Sequence, residues 1–292
     1  MTMLLDLDHP VMARPAEAAL QRRLAYHVRA RLTPSIDPDQ LPADDAVAEL
    51  REFLRDQRHF AVEQCQHIPT DGDGFVAWFE ALMHNGPGQH DPLFPWLANH
   101  ADDASMRWFL RQELAGEAGF DDLVAMALIR MPTRAKMEMA RNLWDEFGRG
   151  NPAGVHSTLL ARMADELGIS CSIEEATSEA LALGNLMAGL ALEHFSYHAV
   201  GALGVIELTA PGRVSCVAAG MRRLGMQPEA RRYYELHATL DVEHARRWNA
   251  EVLRPIVAAD PRTAHLLAQG AIMRLEAGRR CFERYRATLM PS

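Results

Sequence analysis

Apolar positions recur along this chain three and four residues apart, and the apolar periods are broken by Pro, Gly, Asn and Asp. This spacing places apolar side chains on one face of a helix, and no convincing series of alternating apolar and polar residues indicates strands. The sequence therefore predicts an all-α protein. The predicted helices cover residues 16–32, 44–67, 74–83, 104–130, 134–147, 152–167, 173–199, 201–209, 212–224, 229–257 and 261–289.

The connections between the predicted helices are short. Residues 35–42 and 85–92 are rich in turn-forming residues and are predicted loops, but neither requires a domain boundary. The chain has 292 residues, of which 48% are hydrophobic, and this is enough for one large core. We expect a single helical domain, in which residues 1–100 form an N-terminal extension and the first bundle helices.

Charge and composition limit the partners of the chain. A formal net charge of -9 argues against a broad basic surface for nucleic acid. The chain has no uninterrupted apolar stretch of about 18 residues and no basic N-terminus followed by a long apolar run, so neither a membrane span nor a signal peptide is predicted. The 4 cysteines form no CxxC pair, which disfavours a zinc ribbon or a dithiol redox site. We expect a cytoplasmic protein that acts on a small molecule.

The most informative motif is His-x3-Asp-x2-His, formed by His237, Asp241 and His244. Its spacing puts the three side chains on one face of a helix. Two neutral imidazoles and a carboxylate are a partial ligand set for a first-row transition metal, which other helices must complete. In the alternative interpretation, the histidines are ordinary buried residues and Asp241 pairs with Arg246 or Arg247 on a solvated face.

A second candidate segment, residues 142–156, contains Glu146 and His156. Two glycines are expected to end one helix there, and Asn151 followed by Pro152 is expected to begin the next. Glu146 then lies at a helix end and His156 one turn into the neighbouring helix, so both side chains can face one space. Alternatively, Glu146 lies on a solvated helix end and His156 is a core histidine.

Two further carboxylates lie in apolar surroundings. Glu113 precedes the mostly apolar segment 123–129, and Glu207 is the only charged residue between positions 199 and 210. Burying a lone carboxylate costs on the order of several kcal/mol unless it is paired or bound to a metal. Glu207 is therefore a candidate metal ligand, or a carboxylate held by an arginine such as Arg213.

With these residues in this order, the chain resembles the haem-oxygenase-like diiron oxidases and oxygenases, which are also described as iron-containing redox enzymes. The resemblance covers roughly residues 108–248. It rests on Glu113, the Trp-Asp-Glu-Phe-Gly-Arg-Gly segment that leads to His156, the Gly-Val-Ile-Glu segment that ends at Glu207, and the His-x3-Asp-x2-His motif. The resemblance implies a bundle of about seven core helices with a non-haem diiron site, so residues 101–292 would be its metal-binding core.

The resemblance also implies a ligand set. The residues that match the metal ligands of the family are Glu113, Glu146, His156, Glu207, His237, Asp241 and His244. Glu117 is a rival to Glu113, because the two lie within one helical turn. Further candidates for contacts with the metals, their ligands or the substrate are Glu138, Arg149, Tyr233 and Tyr234. Possible clamps for a substrate carboxylate are Arg111, Arg149, Arg222 and Arg223.

Carboxylate and imidazole ligands suit Fe(II) and leave coordination positions open for oxygen. The resemblance implies two iron ions per chain, with O2 as co-substrate. It also implies N-oxygenation of an amine, or hydrogen abstraction with cleavage of a carbon skeleton, in an amine, amino-acid or fatty-acid-like substrate. The sequence does not decide whether the protein uses an external electron donor or forms a homodimer. Two alternative functions are a metal-independent, thiaminase-like hydrolase with a cysteine nucleophile and a non-catalytic metal-binding scaffold.

Overall fold

The structure is a computed structural model that describes residues 15–36, 44–117 and 119–290, and these residues form α-helices and turns without any strand. The all-α prediction is therefore confirmed. The predicted loop 35–42 falls mainly outside the described residues. The helices are α1 (Pro15–Leu32), α2 (Asp44–Gln64), α3 (Gly72–Asn85), α4 (Leu93–Asn99), α5 (Asp103–Gly116), α6 (Phe120–Ala127), α7 (Thr133–Glu146), α8 (His156–Leu167), α9 (Ser178–Leu192), α10 (Ser196–Arg223), α11 (Pro228–Arg247), α12 (Arg254–Ala259) and α13 (Thr263–Leu289).

Side-chain caps set the start of several helices. Asp71 and Asp102 each accept a hydrogen bond of 2.8 Å from the backbone N–H three residues on, at the starts of α3 and α5. Thr177 caps α9 in the same way at 3.3 Å. These bonds satisfy backbone donors that the first turn of a helix leaves unpaired.

The predicted helix 104–130 is in fact two helices, α5 and α6. The chain turns between them because Gly119 adopts a left-handed backbone with φ 73°. The Glu117 carboxylate then accepts a hydrogen bond of 3.0 Å from the Phe120 N–H and caps α6. The apolar pattern does not predict the short helix α4, because prolines interrupt it.

The predicted helix 173–199 is also wrong in its extent, since α9 covers only Ser178–Leu192. Glu193 follows it and is held by Arg31 and Arg51, which belong to α1 and α2. His194 then takes a left-handed backbone with φ 60°, and α10 begins two residues later. Ion pairs with distant helices therefore decide where α9 ends.

The break predicted at Pro211 does not occur, because α10 runs through this residue. Proline removes one backbone hydrogen bond and disfavours a helix interior. However, α10 is buried on both sides of Pro211, with Ala210 and Val217 among its buried residues. Packing against neighbouring helices overrides the local preference. The predicted helix 229–257 is interrupted only by a π-helical turn, Trp248–Leu253, between α11 and α12.

Two apolar clusters form the core. The larger cluster includes Leu208 of α10 and Ala245 of α11, and the smaller one includes Val217 of α10 and Tyr234 of α11. Helix α13 likewise contributes residues up to Ala277 to the first cluster and residues from Cys281 onward to the second. Helices α10, α11 and α13 therefore pass from one cluster to the other, and polar side chains collect between the clusters.

Helices α10 and α13 cross at two glycines. A Cβ at Gly201 would lie 1.9 Å from the Leu267 carbonyl oxygen, and a Cβ at Gly270 would lie 1.9 Å from the His198 carbonyl oxygen. Real atoms cannot approach so closely, so the two backbones touch only because both positions lack a side chain. This crossing fixes the distance between two helices that line the polar layer.

Among the described residues, α10 is the one helix that is long and apolar enough to cross a membrane, judged by length and composition only. Most of its apolar stretch is buried in the bundle, however, and Glu207 lies within it. A core helix of a helical bundle has the same length and composition.

The glycine crossing generates a stability prediction. Gly201→Ala should lower the free energy of unfolding by about 3 kcal/mol, because the methyl group forces apart two packed backbones. Gly212→Ala is the matched control, because Gly212 is exposed on the same helix and a Cβ there meets nothing within 4 Å. It should leave stability unchanged or raise it by up to about 1 kcal/mol. Urea unfolding followed by circular dichroism measures both, and equal effects would show that α10 and α13 are not in backbone contact.

Candidate metal centre

Four helices bring polar side chains into the space between the apolar clusters. Helix α7 supplies Glu146, α8 supplies His156, α10 supplies Glu207, and α11 supplies His237 and His244. The two glutamates are only 1% and 2% exposed. Carboxylates are rarely buried to this degree unless they are paired or bind a metal.

A tryptophan fixes α11 against α10. The indole of Trp248 is 1% exposed and packs on Gly204, where a Cβ would lie 2.5 Å from the indole Nε1. Gly204 lies about one turn before Glu207, and Trp248 about one turn after His244. The contact therefore sets the two facing side chains opposite each other.

The connection from α7 to α8 brings His156 to Glu146. It consists of the short 3₁₀ turns Gly148–Gly150 and Pro152–Gly154, and the Asn151 side chain accepts a hydrogen bond from the second turn. The α-helix begins at His156 itself, so the prediction that His156 lies one turn into its helix is wrong. The predicted meeting of the two side chains is nevertheless observed, because the tight turns fold α8 back onto the end of α7.

One group of possible metal ligands consists of Glu146, His156 and His237. One ligand atom from each residue lies within 4.8 Å of those of the other two. The His156 Nδ1 contacts a carboxylate oxygen of Glu146, and the rings of His156 and His237 are 4.5 Å apart between centroids. Imidazole and carboxylate atoms thus converge on one point from three helices.

A second group consists of Glu146, Glu207 and His244, whose ligand atoms also lie within 4.8 Å of one another. The His244 Nδ1 is 3.3 Å from the nearer oxygen of Glu207 and 3.9 Å from Glu146. Asn142 donates a hydrogen bond of 2.7 Å to the other Glu207 oxygen and so orients that carboxylate. Glu146 belongs to both groups, so the two candidate ligand groups are adjacent and share a carboxylate.

Each histidine of α11 is oriented by a carboxylate on its far side. The His237 Nδ1 lies 2.9 Å from Asp241, which leaves Nε2 directed to the first group. The His244 Nε2 lies 3.2 Å from Asp145, which leaves Nδ1 directed to the second group. A carboxylate bound to the outer nitrogen is the usual means of fixing the ring of a metal-binding histidine.

Several ligand atoms at the centre contact one another without hydrogen-bond geometry and have no hydrogen-bond partner elsewhere in the described residues. These atoms are the two carboxylate oxygens of Glu146, the two ring nitrogens of His156, Nε2 of His237 and Nδ1 of His244. Buried polar atoms without partners are costly, and native proteins rarely leave so many together. Metal coordination would satisfy them, and carboxylate and imidazole donors suit iron, so these residues fit the metal that the sequence predicts.

Burial and mutual repulsion perturb the titration of the site. Burial raises the pKa of Glu146 to about 8, and the nearby Glu207 carboxylate contributes to this rise. Burial lowers the pKa of His156 to about 4. Burial also lowers the pKa of His237 and of His244. The surrounding carboxylates have the opposite and larger effect, so each pKa rises to about 9. Without metal, the two histidines of α11 and Glu146 therefore carry protons at neutral pH.

Several predicted residues lie outside the two groups. Glu113 belongs to neither group, and its electrostatic partners include Arg213 and Arg274. Glu138 contacts Arg141 on its own helix. Asp241 is buried beside His237 and lines the adjoining cavity, but it belongs to neither group and acts here as the partner of that histidine.

The other predicted neighbours of the site divide between its wall and the surface. Tyr233 lines the cavity with its ring 4.5 Å from that of His237, whereas Tyr234 is buried in the smaller apolar cluster. Arg149 is exposed and bonds Asp145 at 2.6 Å. The remaining candidate clamps also lie outside the cavity, with Arg111 exposed and Arg222 paired with Glu235.

Three residues near the site were not among the predictions. Asp145 could have been recognised from its place beside Glu146, and Asn142 from its place one turn before it on the same face. Arg274 interrupts an apolar stretch of α13, which is the same signal that singled out Glu207. Of the two rival glutamates, Glu117 lines the cavity and Glu113 does not.

A cavity of about 130 Å³ adjoins the first ligand group. The polar residues that line it are Glu117, Asp121, Glu146, His156, Ser157, Glu207, Tyr233, His237, Asp241 and Arg274. The apolar residues of its wall include Phe120, Leu160, Leu183, Met187, Ile206 and Val214. A cavity of this size accommodates a molecule about as large as benzene.

A family model described as "iron-containing redox enzyme" matches residues 107–279. The match covers more than half of the chain and extends beyond residue 248, where the expected resemblance ends. It includes all the residues of both ligand groups. No curated protein matches the chain.

Metal binding should release protons. A histidine must be neutral to bind a metal, and His237 and His244 carry protons below about pH 9 in the metal-free site. The apparent affinity for Fe(II) should therefore rise between pH 6 and pH 8, by about tenfold per pH unit for each proton displaced. Anaerobic titrations in weak buffer measure both affinity and released protons. An affinity independent of pH over this range would contradict histidine ligation.

Removal of the outer carboxylate should weaken one metal position. Asp145→Ala leaves the His244 Nε2 without its acceptor, so we expect binding of one of two metal ions to weaken by about 10- to 100-fold. Arg149→Ala is the control, because it removes only the exposed partner of Asp145. Competition with a chromophoric chelator measures the metal affinity of each variant. Equal, small effects of the two changes would show that Asp145 does not orient His244.

Proposed function

The chain belongs to the iron-containing redox enzymes, and on this basis we propose that it is a non-haem diiron oxidase or oxygenase that oxidises a small molecule with O2. The observation that carries the proposal is the shared position of Glu146, which belongs to both ligand groups. A carboxylate placed between two metal positions is the arrangement that a dinuclear site requires.

In this proposal, Glu146, His156 and His237 hold one ion, and Glu146, Glu207 and His244 hold the other. Asp241 and Glu117 line the same cavity and are available to complete the coordination. Each group provides three protein residues and so leaves positions open, as a redox site requires and a closed structural site does not. Iron bound there would supply the capacity to reduce oxygen, which the side chains alone do not have.

The surrounding residues orient the site and limit the access of water. Asp145 and Asp241 hold the two α11 histidines, and Asn142 holds Glu207. Burial raises the pKa of Tyr233 well above its usual value, so the phenol beside His237 stays neutral. The apolar wall of the cavity excludes bulk water from the reacting part of the substrate, which protects reactive species from side reactions.

The substrate decides whether the reaction is N-oxygenation or hydrogen abstraction with carbon–carbon cleavage. The cavity is small, which favours a compact amine, amino acid or short-chain acid over a long fatty acid held wholly inside it. An external electron donor, a homodimer and a cytoplasmic location stay predictions.

The hydrolase alternative needs a reactive cysteine in the cavity. None of the four cysteines lines it. Burial raises the pKa of Cys65 and of Cys281 to about 12, and it also raises the pKa of Cys171 and Cys216. A thiol nucleophile requires the opposite shift. The structure therefore favours the metal-dependent function.

Iron titration tests the proposal. Under anaerobic conditions, the wild-type chain should bind two Fe(II) ions and then consume O2, with a transient visible absorbance in stopped-flow measurements. His237→Ala should remove the first position, and His244→Ala the second, so each variant should retain at most one tightly bound ion. Both should lose oxygen reactivity but keep their helical circular dichroism, because neither side chain belongs to an apolar cluster.

His59→Ala is the matched control, since His59 is exposed on α2, and it should bind two ions and react like the wild type. Full stoichiometry and activity in the His237 variant would contradict the site assignment. Absence of specific iron binding by the folded wild type would contradict the diiron proposal. Oxygen consumption that never yields an oxidised product across a panel of small amines and acids would instead support the metal-binding scaffold.

A further inference from the structure

Arg274 lies in the cavity wall and has no bonding partner among the described residues. It is half-buried on α13, between the buried residues Met273 and Leu275, and it lines the same cavity as both ligand groups. Its Nη1 extends over Gly278, where a Cβ would come within 2.8 Å. A glycine one turn away therefore leaves room for the guanidinium.

The Arg274 guanidinium forms no hydrogen bond or ion pair within the described part of the chain, and its Nε is buried and unsatisfied. Other arginines of the same helix behave differently, since Arg279 pairs with Glu276 and Arg286 with Asp91. Arginine carries five donors and stays charged, so burying it without a partner is unfavourable. A partner from outside the chain would remove this cost.

A second arginine increases the positive charge at this end of the cavity. Arg213 donates a hydrogen bond of 3.2 Å to Thr209, and its guanidinium lies 5.4 Å from the ring of Phe282. Glu113 acts electrostatically on both arginines and Glu117 on Arg274, but neither carboxylate makes an ion pair with an arginine within the described residues. The positive charge of these unpaired guanidiniums is suited to an anion.

The rest of the cavity indicates what kind of anion fits. Residues of both metal-ligand groups and Arg274 line the same cavity, and its wall also contains apolar side chains, among them Leu183, Ile206 and Val214. A free inorganic anion would leave this apolar surface uncovered. A small organic acid covers it and still reaches both the guanidinium and the metal groups.

We propose that Arg274 anchors the carboxylate of a small organic acid substrate and directs the apolar part of that acid toward the metal groups. The orientation toward the metals rests on the proposed diiron function. The recognition of the carboxylate does not, because it depends on Arg274 and the cavity wall alone. Arg274 is thus a binding residue that determines substrate class.

Paired probes of equal shape test the charge requirement. Hexanoate and benzoate are compared with their neutral amides, hexanamide and benzamide, by isothermal titration calorimetry on the full chain without metal, so that coordination to iron cannot explain binding. Each acid should bind at least about tenfold more tightly than its amide, because a charge-assisted bidentate contact is lost in the amide. Inorganic phosphate should bind more weakly than either acid.

Variants then assign the effect to one residue. Arg274→Met should reduce the affinity for each acid to that for its amide and, without ligand, should leave the melting temperature equal or higher, since an unpaired buried charge is removed. Arg274→Lys should give an intermediate affinity, because a lysine keeps the charge but not the planar fork. Arg111→Met is the control, because Arg111 is exposed and lies outside the cavity, and it should bind like the wild type.

Equal binding of acids and amides by the wild type, or no binding of either acid, would overturn the proposal. Equal binding of phosphate and hexanoate would also overturn it, because the site would then recognise any anion. The same titrations with the iron-loaded, anaerobic protein separate this proposal from the diiron function. Iron binding without a preference for acids would refute only the anchor, whereas Arg274-dependent acid binding without iron binding would refute only the diiron site.

Discussion

The burial of like charges in one layer of the bundle is the constraint on which this structure depends. Glu146, Glu207 and Asp241 are each at most 2% exposed, and the first two lie in one ligand group. Desolvation and mutual repulsion oppose such an arrangement, and the raised pKa of Glu146 expresses that cost. Protons on the α11 histidines and on Glu146 offset this repulsion in the metal-free site, and bound metal ions would offset it further.

The two apolar clusters make that layer possible. Each cluster holds the helices together on one side of the polar groups, so the centre itself needs no apolar packing. Contacts at small residues fix the geometry, with Trp248 packed on Gly204 and the α10–α13 crossing at Gly201 and Gly270. The rigid packing of interiors transmits these distances to side chains one turn away.

The cavity has opposite electrostatic character in two parts of its wall. Carboxylates dominate the part that carries the metal ligands, and Arg274 with Arg213 nearby gives the other part positive character. Apolar side chains in the same wall lower the local dielectric and strengthen both effects. Such a cavity is suited to a molecule with one anionic end.

The sequence by itself determined the helical class, the family and most of the residues that meet at the centre. Helical periodicity has a fixed geometry, so the spacing of His237, Asp241 and His244 necessarily places them on one face. The sequence did not determine the roles within that set or the choice between Glu113 and Glu117. The choice between the two glutamates depends on the break between α5, which ends at Gly116, and α6, because this break leaves Glu117 in the cavity wall.

Tertiary structure alone decided which atoms face the centre. Asp241 and Asp145 contact one ring nitrogen of each histidine, and the packing of α7 against the π-helical turn that follows α11 brings Asp145 there. Neighbouring helices likewise decide that α10 continues through Pro211 and that Arg274 has no bonding partner within the described part of the chain. Local sequence fixes which residues share a helix face, whereas contacts between residues distant in the chain depend on the packing of whole helices, which no local pattern encodes.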